Sequence, residues 1–260
     1  MKISFSAVMI FIWCMLPMRL NAKSNAEKTL IKIKKNIVSS LKAMDKSAKK
    51  TSKDIAKSGI KSRKTRKIIS ELYKKTGFAV DTAFVDGTGK ISIVEPIEYR
   101  NVEGTDISGQ EQVLFVKNNK TPILSDVFHS VEGFNAIDFE YPVFINKKFA
   151  GSVSILFKPE TFFTQTAGIL DPDQTYHFYV INGNWSIIHD SAGMETGINI
   201  KNLPDNRLFT LLSEGQRQGK GICHFTYPGT DKTRQKLVYW DTATFYQTEW
   251  KLVLMAPSEE

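Results

Sequence analysis

The stretch Phe84-Val85-Asp86-Gly87-Thr88-Gly89-Lys90-Ile91-Ser92-Ile93 decides the fold, because Val180-Ile181-Asn182-Gly183-Asn184-Trp185-Ser186-Ile187-Ile188 repeats its plan 96 residues later. Each reads as strand, turn, strand: Asp-Gly and Asn-Gly between apolar runs supply the positive backbone angles that tight hairpins require. A second echo sets Ile155-Leu156-Phe157-Lys158-Pro159 against Val253-Leu254-Met255-Ala256-Pro257, a strand stopped by proline, at an offset of 98. Chance likeness between ordinary hairpins would not keep the same order and nearly the same offset, so two similar domains are expected, over 78–167 and 168–257.

Within the first block, strand candidates at 79–85, 90–94, 123–129, 136–145 and 149–157 surround a short helical stretch near 110–116. The second block follows suit, with strands near 176–181, 186–189, 221–227, 235–243 and 250–255 and a helix over about 205–218. Two strands, helical material and three more strands make an antiparallel sheet with helices on one face, an α+β fold.

The net charge of +8 is unevenly spread. Residues 23–75 carry 18 Lys or Arg against 4 Asp or Glu, whereas 76–260 carry 15 against 23. The basic segment has no proline, one glycine (Gly59), and apolar residues at Leu30, Ile33, Ile37, Leu41, Met44, Ala48 and Ile55. Those steps of three and four predict one long helix, or two in line, over 23–77, with a narrow apolar stripe. Such a helix needs two domains to lie along. Its lysines suit a solvated outer face, or attraction to anionic lipid or an acidic partner. The absence of aromatic interleaving before Tyr73 argues against nucleic acid. The stripe also offers a surface for a homodimer.

Ahead of this segment, Lys2, an apolar run to Met18 and a small residue, Ala22, before Lys23 fit a secretory signal peptide over 1–22. The run is shorter than the ~20 residues of a spanning helix, although an uncleaved anchor stays open. After cleavage one cysteine, Cys223, remains, so no internal disulfide is expected in the secreted or periplasmic protein.

A leader, a long helix and two such blocks resemble the double Cache extracellular sensor domain, a long N-terminal helix followed by two tandem PAS-like (Cache) antiparallel sheet subdomains. The first block carries Pro122-Ile123-Leu124-Ser125-Asp126-Val127-Phe128, Tyr141-Pro142-Val143-Phe144 and Gly151-Ser152-Val153-Ser154, and the likeness covers about residues 25–257. It implies an extracytoplasmic, non-enzymatic domain of the kind found in chemoreceptors and histidine kinases, with a small metabolite bound in the first, membrane-distal block. The chain stops at Glu260 without an output domain, so a stand-alone sensor signalling through a separate membrane receptor or kinase is expected. The amino-acid-binding branch uses an arginine followed closely by an aromatic pair; here Tyr99-Arg100 is followed by Asn101 and Val102, which leaves the clamp partial.

The ligand-contact candidates are Tyr99, Arg100, Asp126, Asp138 and Tyr141. Arg100 suits a carboxylate through two parallel hydrogen bonds, and Tyr99 suits stacking or capping. In 136–145, alternation puts Ile137, Phe139, Tyr141 and Val143 on one face, which looks like core, and Asp138, Glu140 and Phe144 on the other. An exposed strand face is the plain alternative for the carboxylates. The histidines His129, His177, His189 and His224 form no metal-ligand spacing, and adjacent Cys223 and His224 point to opposite faces of a strand. His189-Asp190 reads as an Asp-Ser turn or a loop-surface pair, and Asp171 with Asp173 lacks the glycine and closing glutamate of a calcium loop. No cofactor and no metal are expected.

Overall fold

A computed structural model describes residues 24–60, 63–168, 176–203, 207–226 and 233–257. The leader and the Asp171/Asp173 pair lie outside them.

Helix α1 (Asn25–Ser58) starts at Ser24, whose hydroxyl accepts the Glu27 N–H at 3.2 Å, and stops at Gly59, where φ is +80°. The chain then forms a second helix, α2 (Arg63–Lys75), so the basic segment is two helices broken at its one glycine. At 1.5 Å per residue α1 is about 50 Å long. Its predicted stripe is buried along its whole length, from Leu30 through Ile37 and Met44 to Ile55. The first half of α1 lies against the C-terminal sheet, where Lys34 pairs with Asp241 at 2.7 Å. The second half lies against the N-terminal sheet, where the Ser52 hydroxyl donates to the Pro142 carbonyl at 2.8 Å.

In the N-terminal sheet the elements are β1 (Ala79–Asp86), β2 (Ile91–Glu95), a 3-10 turn (Ile97–Val102), α3 (Glu111–Asn119), β3 (Ile123–Leu124), β4 (Phe128–His129), β5 (Asn135–Ile145) and β6 (Lys148–Phe157). The strand order is β2-β1-β6-β5-β3, all antiparallel, with β4 also on β5. Helix α4 (Pro159–Ala167) then leads to β7 (His177–Ile181), β8 (Ile187–Asp190), α5 (Arg207–Ser213), β9 (Gln218–Thr226), β10 (Thr233–Phe245) and β11 (Thr248–Pro257). These strands take the matching order β8-β7-β11-β10-β9. Two expected elements differ. The strand over 123–129 is broken into two short pieces, and among the described residues the helix over 205–218 is confined to α5, which ends ahead of Gly215 at a φ of +82°.

The hairpin repeat holds at the level of individual hydrogen bonds. The Asp86 N–H donates to the Lys90 carbonyl and the Gly89 N–H to the Asp86 carbonyl; Asn182 with Ser186, and Trp185 with Asn182, repeat both. The positive φ falls on Gly89 (+99°) and Trp185 (+71°), two residues beyond the glycines of Asp-Gly and Asn-Gly. The Asp86 carboxylate accepts the Thr88 N–H at 2.8 Å, so Asp86 organises the turn through its side chain. At Gly89 a Cβ would sit 2.5 Å from Cβ of Ser108, which leaves no room for a side chain.

One apolar core runs from the α1 stripe through the helix-facing sides of both sheets. Phe162 and Phe163 of α4 meet Trp250 of β11 at ring separations of 6.2 and 5.0 Å. The β10–β11 turn reaches the first sheet's edge, where the Thr248 hydroxyl donates to the Leu124 carbonyl at 2.6 Å. Among the described residues no helix is long and apolar enough to cross a membrane.

Candidate functional site

Alternation along β1 sends Thr82 and Phe84 toward the helices, with the Thr82 hydroxyl on the Ile69 carbonyl at 3.0 Å, and sends Asp81, Ala83 and Val85 to the opposite face. The β1–β6–β5 register sets Asp81, Leu156 and Asp138 in one row and Ala83, Ser154 and Glu140 in the next. Helix α3 covers this face with Gln112 and Val113, and the segment around Phe128 to Glu132 closes its side. The result is a chamber whose apolar half is Ala83, Val85, Ile91, Val94 and Ile107, and whose polar half is carboxylate-rich. Its free volume is about 20 Å³, room for a single water.

Asp138, 2% exposed, accepts the Ser154 hydroxyl at 2.7 Å on one oxygen and faces the Gln112 amide at 3.4 Å on the other. Burial pushes its carboxyl up to about 6, with those two hydrogen bonds and the neighbouring Glu140 carboxyl pulling against the shift. Glu140 is fully buried beside Asp138 and Ser152, but among the described residues neither of its carboxylate oxygens makes a hydrogen bond of good geometry. Burial, then the charge of Asp138, holds its carboxyl well above the usual range. Asp81 is 2% exposed, its Oδ2 has no partner among the described residues, and burial followed by the charges of Glu132 and Asp138 raises it well above its ordinary value.

Of the five residues expected from sequence, the structure brings two to this chamber. Asp138 is in its floor, and Tyr99 packs on its apolar half, edge-on to Phe134 at 6.5 Å. The Tyr99 phenol is raised by burial, then by Asp81 and Glu132. Arg100 lies elsewhere: it donates to Glu95 at 2.5 Å and lines an open groove between α2 and the β1–β2 hairpin, beside Arg66, which is itself bound to Glu95 at 3.0 Å. Asp126 is exposed beside the chamber, its carboxyl raised by partial desolvation and then by Glu111. Tyr141 is on the α1 side of the sheet with Phe139, where burial and then Asp45 raise its phenol. Strand parity had already assigned that face to the core. Asp81 and Glu140 were not nominated; the signal for Glu140 was its place two residues from Asp138, but Asp81 joins them only through the β1–β6–β5 register.

The second sheet's equivalent face is filled by Tyr179, Ile187, Leu208, Leu212, Val238 and Trp240. His189 and Asp190, expected in an Asp-Ser turn or on a loop surface, are buried at the end of β8, where Asp190 does open a turn, its carbonyl accepting the Gly193 N–H at 2.9 Å. His177 pairs with Asp190 at 2.5 Å, and the backbone N–H groups of Ala192, Met194 and Glu195 donate to the same carboxylate at 2.8 to 2.9 Å. Burial opposes ionisation there, but the His177 hydrogen bond and the backbone donors hold Asp190 down at about 2. The Glu160 carboxylate of α4 accepts a hydrogen bond from His189 Nδ1 at 2.8 Å.

Two tandem sheets of this order, spanned by one helix and with a covered polar chamber in the first, make a tandem PAS-like α+β fold similar to that of double Cache sensor domains. Residues 39–159, which include the chamber, match the family described as HK/GC/Chemotaxis protein-like, sensor domain. Among solved structures, an extracellular ligand binding receptor from Desulfohalobium retbaense is similar at 27% identity and a TM-score of 0.75, over 90% of this chain and 41% of that one. This chain thus spans about two fifths of that receptor's length. The histidine kinase DctB sensor domain of V. cholerae shares the fold at 13% identity and a TM-score of 0.63, over 90% and 96% of the two chains. The ligand-binding domain of the Pseudomonas aeruginosa amino acid chemoreceptor PctB, in complex with L-Gln, does so at 9% identity and a TM-score of 0.64, over 91% of each. No curated protein matches the chain.

Proposed function

We propose that this chain is the ligand-binding part of an extracytoplasmic sensor, taking a small polar metabolite into the chamber of the first subdomain and passing the result to a separate receptor or kinase. The observation that carries the reading is the set of buried carboxylate oxygens left without partners under α3. Such groups cost free energy unless something arrives to satisfy them. The similar structures support it, since PctB is seen with L-Gln and a Pseudomonas fluorescens chemoreceptor, CtaA, with L-alanine.

Admitting anything larger than water requires α3 and the 128–132 segment to move. Helix α3 runs directly into β3, whose Leu124 carbonyl holds Thr248 of the second subdomain, so a shift of α3 has a short path to the C-terminal sheet and to α1. A ligand drives that shift only by its differential affinity for the two states. The rival reading, an interaction module docking through its basic helix, would use the apolar stripe of α1, but both sheets already cover that stripe. Pairing of two copies through α1 would have to use its outer, lysine-rich face.

Thermal unfolding of the full chain against amino acids, amines, organic acids and nucleobases tests the reading. Ligand at a hundred times its dissociation constant adds ~2.7 kcal/mol and should raise the midpoint by several degrees. No rise with any compound, from protein shown to be folded and ligand-free, would refute it.

A further inference from the structure

Going beyond the binding of a metabolite, we infer that the outer face of the helix layer docks on a membrane surface rich in anionic lipid headgroups, held by a straight row of lysines on α1.

The row is set by spacing. Lys28, Lys32, Lys35, Lys42, Lys46, Lys49 and Lys53 follow one another at steps of three or four residues, with Ser39 filling the gap between Lys35 and Lys42. At ~100° per residue these positions fall on one side of the helix, opposite Leu30, Ile37, Met44 and Ile55, which are buried in the core. All of these lysines are exposed, and among the described residues none of them pairs with a carboxylate. The row runs about 40 Å along α1. The nearest acidic groups do not interrupt it: Asp54 is taken by Lys50, and Asp45 accepts the Tyr246 hydroxyl at 2.7 Å.

A second helix widens the row toward a plane. Helices α1 and α2 pack on the same side of the first sheet, α1 through Ser52 on Pro142 and α2 through Ile69 on the Thr82 hydroxyl, and Ile55, Ile69 and Leu72 share one core. Their outer faces therefore point the same way. Helix α2 adds exposed Lys67 and Lys74, offset by one carboxylate, Glu71, which is close enough to act on Lys50 of α1. Residues 76–260, by contrast, carry 15 Lys or Arg against 23 Asp or Glu. The molecule thus has a positive helix side and negative sheets, and an anionic surface orients it with the helices toward that surface.

The chemistry of the row selects the occupant. Lysine is a point charge on a flexible stem and suits a fluid array of phosphates, whereas a fixed pattern of carboxylates is better gripped by arginine's planar fork, and α1 has no arginine. Nor does α1 carry an aromatic residue for stacking on bases. Among the described residues Ile31 is the one large apolar side chain exposed on α1, and the apolar stripe is already in the core. The helix therefore rests on headgroups instead of sinking among acyl chains. A second copy does not fit this face, since two such rows would set lysine against lysine. Docking of this kind holds the sensor where a membrane receptor or kinase is met, and it does not require the chamber to be filled.

The test is co-sedimentation of the full chain with vesicles of phosphatidylglycerol and phosphatidylcholine in equal parts, and of phosphatidylcholine alone, at about 0.15 M salt. The apolar leader meets both kinds of vesicle alike, so the readout is the ratio of the two affinities. The expected ratio is at least about tenfold, collapsing near 1 M salt, where the screening length falls to ~3 Å. Lys35→Gln, Lys42→Gln and Lys49→Gln together should lower the affinity for anionic vesicles at least tenfold, since each lysine at such a surface strengthens binding about fivefold. Lys117→Gln, Lys120→Gln and Lys201→Gln together remove the same charge from α3 and from beside Phe209, on the far sides of the two sheets, and should lower it less than about threefold. Unchanged unfolding midpoints show that the variants fold; if the first set does not, Lys28→Gln, Lys32→Gln and Lys46→Gln take its place. Equal losses in the two sets would reduce the effect to net charge and overturn the assignment of the face. A preference that persists at high salt would mean insertion and overturn headgroup contact as the cause. No preference for anionic vesicles would overturn the docking altogether and leave the row to an acidic protein or to solvent, while the metabolite reading still rests on its own thermal-unfolding test.

Discussion

Asp81 and Asp138 face the same enclosed space from strands β1 and β5, in register with one residue, Leu156, of the strand between them. At the usual spacing of ~4.8 Å between strands, their backbones stand about 10 Å apart, close enough for one small cation to reach both carboxylates and too far for them to share a proton directly. With Glu140 one row along, the first sheet holds carboxyl groups where a folding core would normally exclude them.

Removing one of these charges should stabilise the empty protein. The Asp138 carboxyl is raised to about 6 when folded, against an ordinary 3.8. A carboxyl raised on folding costs nothing below the unfolded value, and stability then falls as pH rises from about 4 through about 6. Asp138→Asn should therefore raise stability by about 2 to 3 kcal/mol at pH 7.5 and change it little at pH 4. Urea unfolding at the two pH values measures this; a destabilised variant at pH 7.5 would mean that the charge is already compensated.

The Asp190 network predicts acid sensitivity in the second subdomain. A carboxyl held at about 2 contributes stability that is present above its unfolded value near 3.8 and lost as pH falls toward 2. Asp190→Ala leaves His177 and three backbone N–H groups without this partner and should cost about 3 kcal/mol at pH 7, with the deficit shrinking at pH 2.5. Ligand affinity should be unchanged, because the chamber is in the other sheet.

Helix α1 should couple the two sheets in unfolding. Ile37 is fully buried in the core that α1 shares with both. Ile37→Ala should cost about 2 to 4 kcal/mol, by lost burial and residual cavity. The midpoint should drop without the transition splitting into two, which differential scanning calorimetry would show. Two separated peaks would mean that the subdomains unfold independently.

Local pattern carried much of the fold. The 3-4 spacing from Leu30 to Ile55 was the buried face of α1, and Asp86 and Asn182 marked two hairpins with the same hydrogen bonds, because turn chemistry acts over a few residues. The same locality explains the misreadings. Two helices were one of the expected arrangements, but nothing in the spacing showed where α2 would go, and the helix expected over 205–218 ends at Ser213, ahead of Gly215 at positive φ. Positive φ fell on Gly89 and Trp185 because the Asp86 and Asn182 side chains, as well as the adjacent glycines, shape the turns.

At the site, parity along β5 was enough to put Asp138 and Glu140 on one face and Tyr141 on the other, since alternation is a property of a single strand. It said nothing of Arg100, whose direction is set by Glu95 and by α2 packing behind the hairpin. Nor could it bring in Asp81, which is 57 residues from Asp138 in the chain. Periodicity and turn residues dictated the elements and their repetition, because those signals are short-ranged. Strand register, and the closure of α3 over one face, decided which charges share a space, because only pairing between distant strands sets carboxylates side by side.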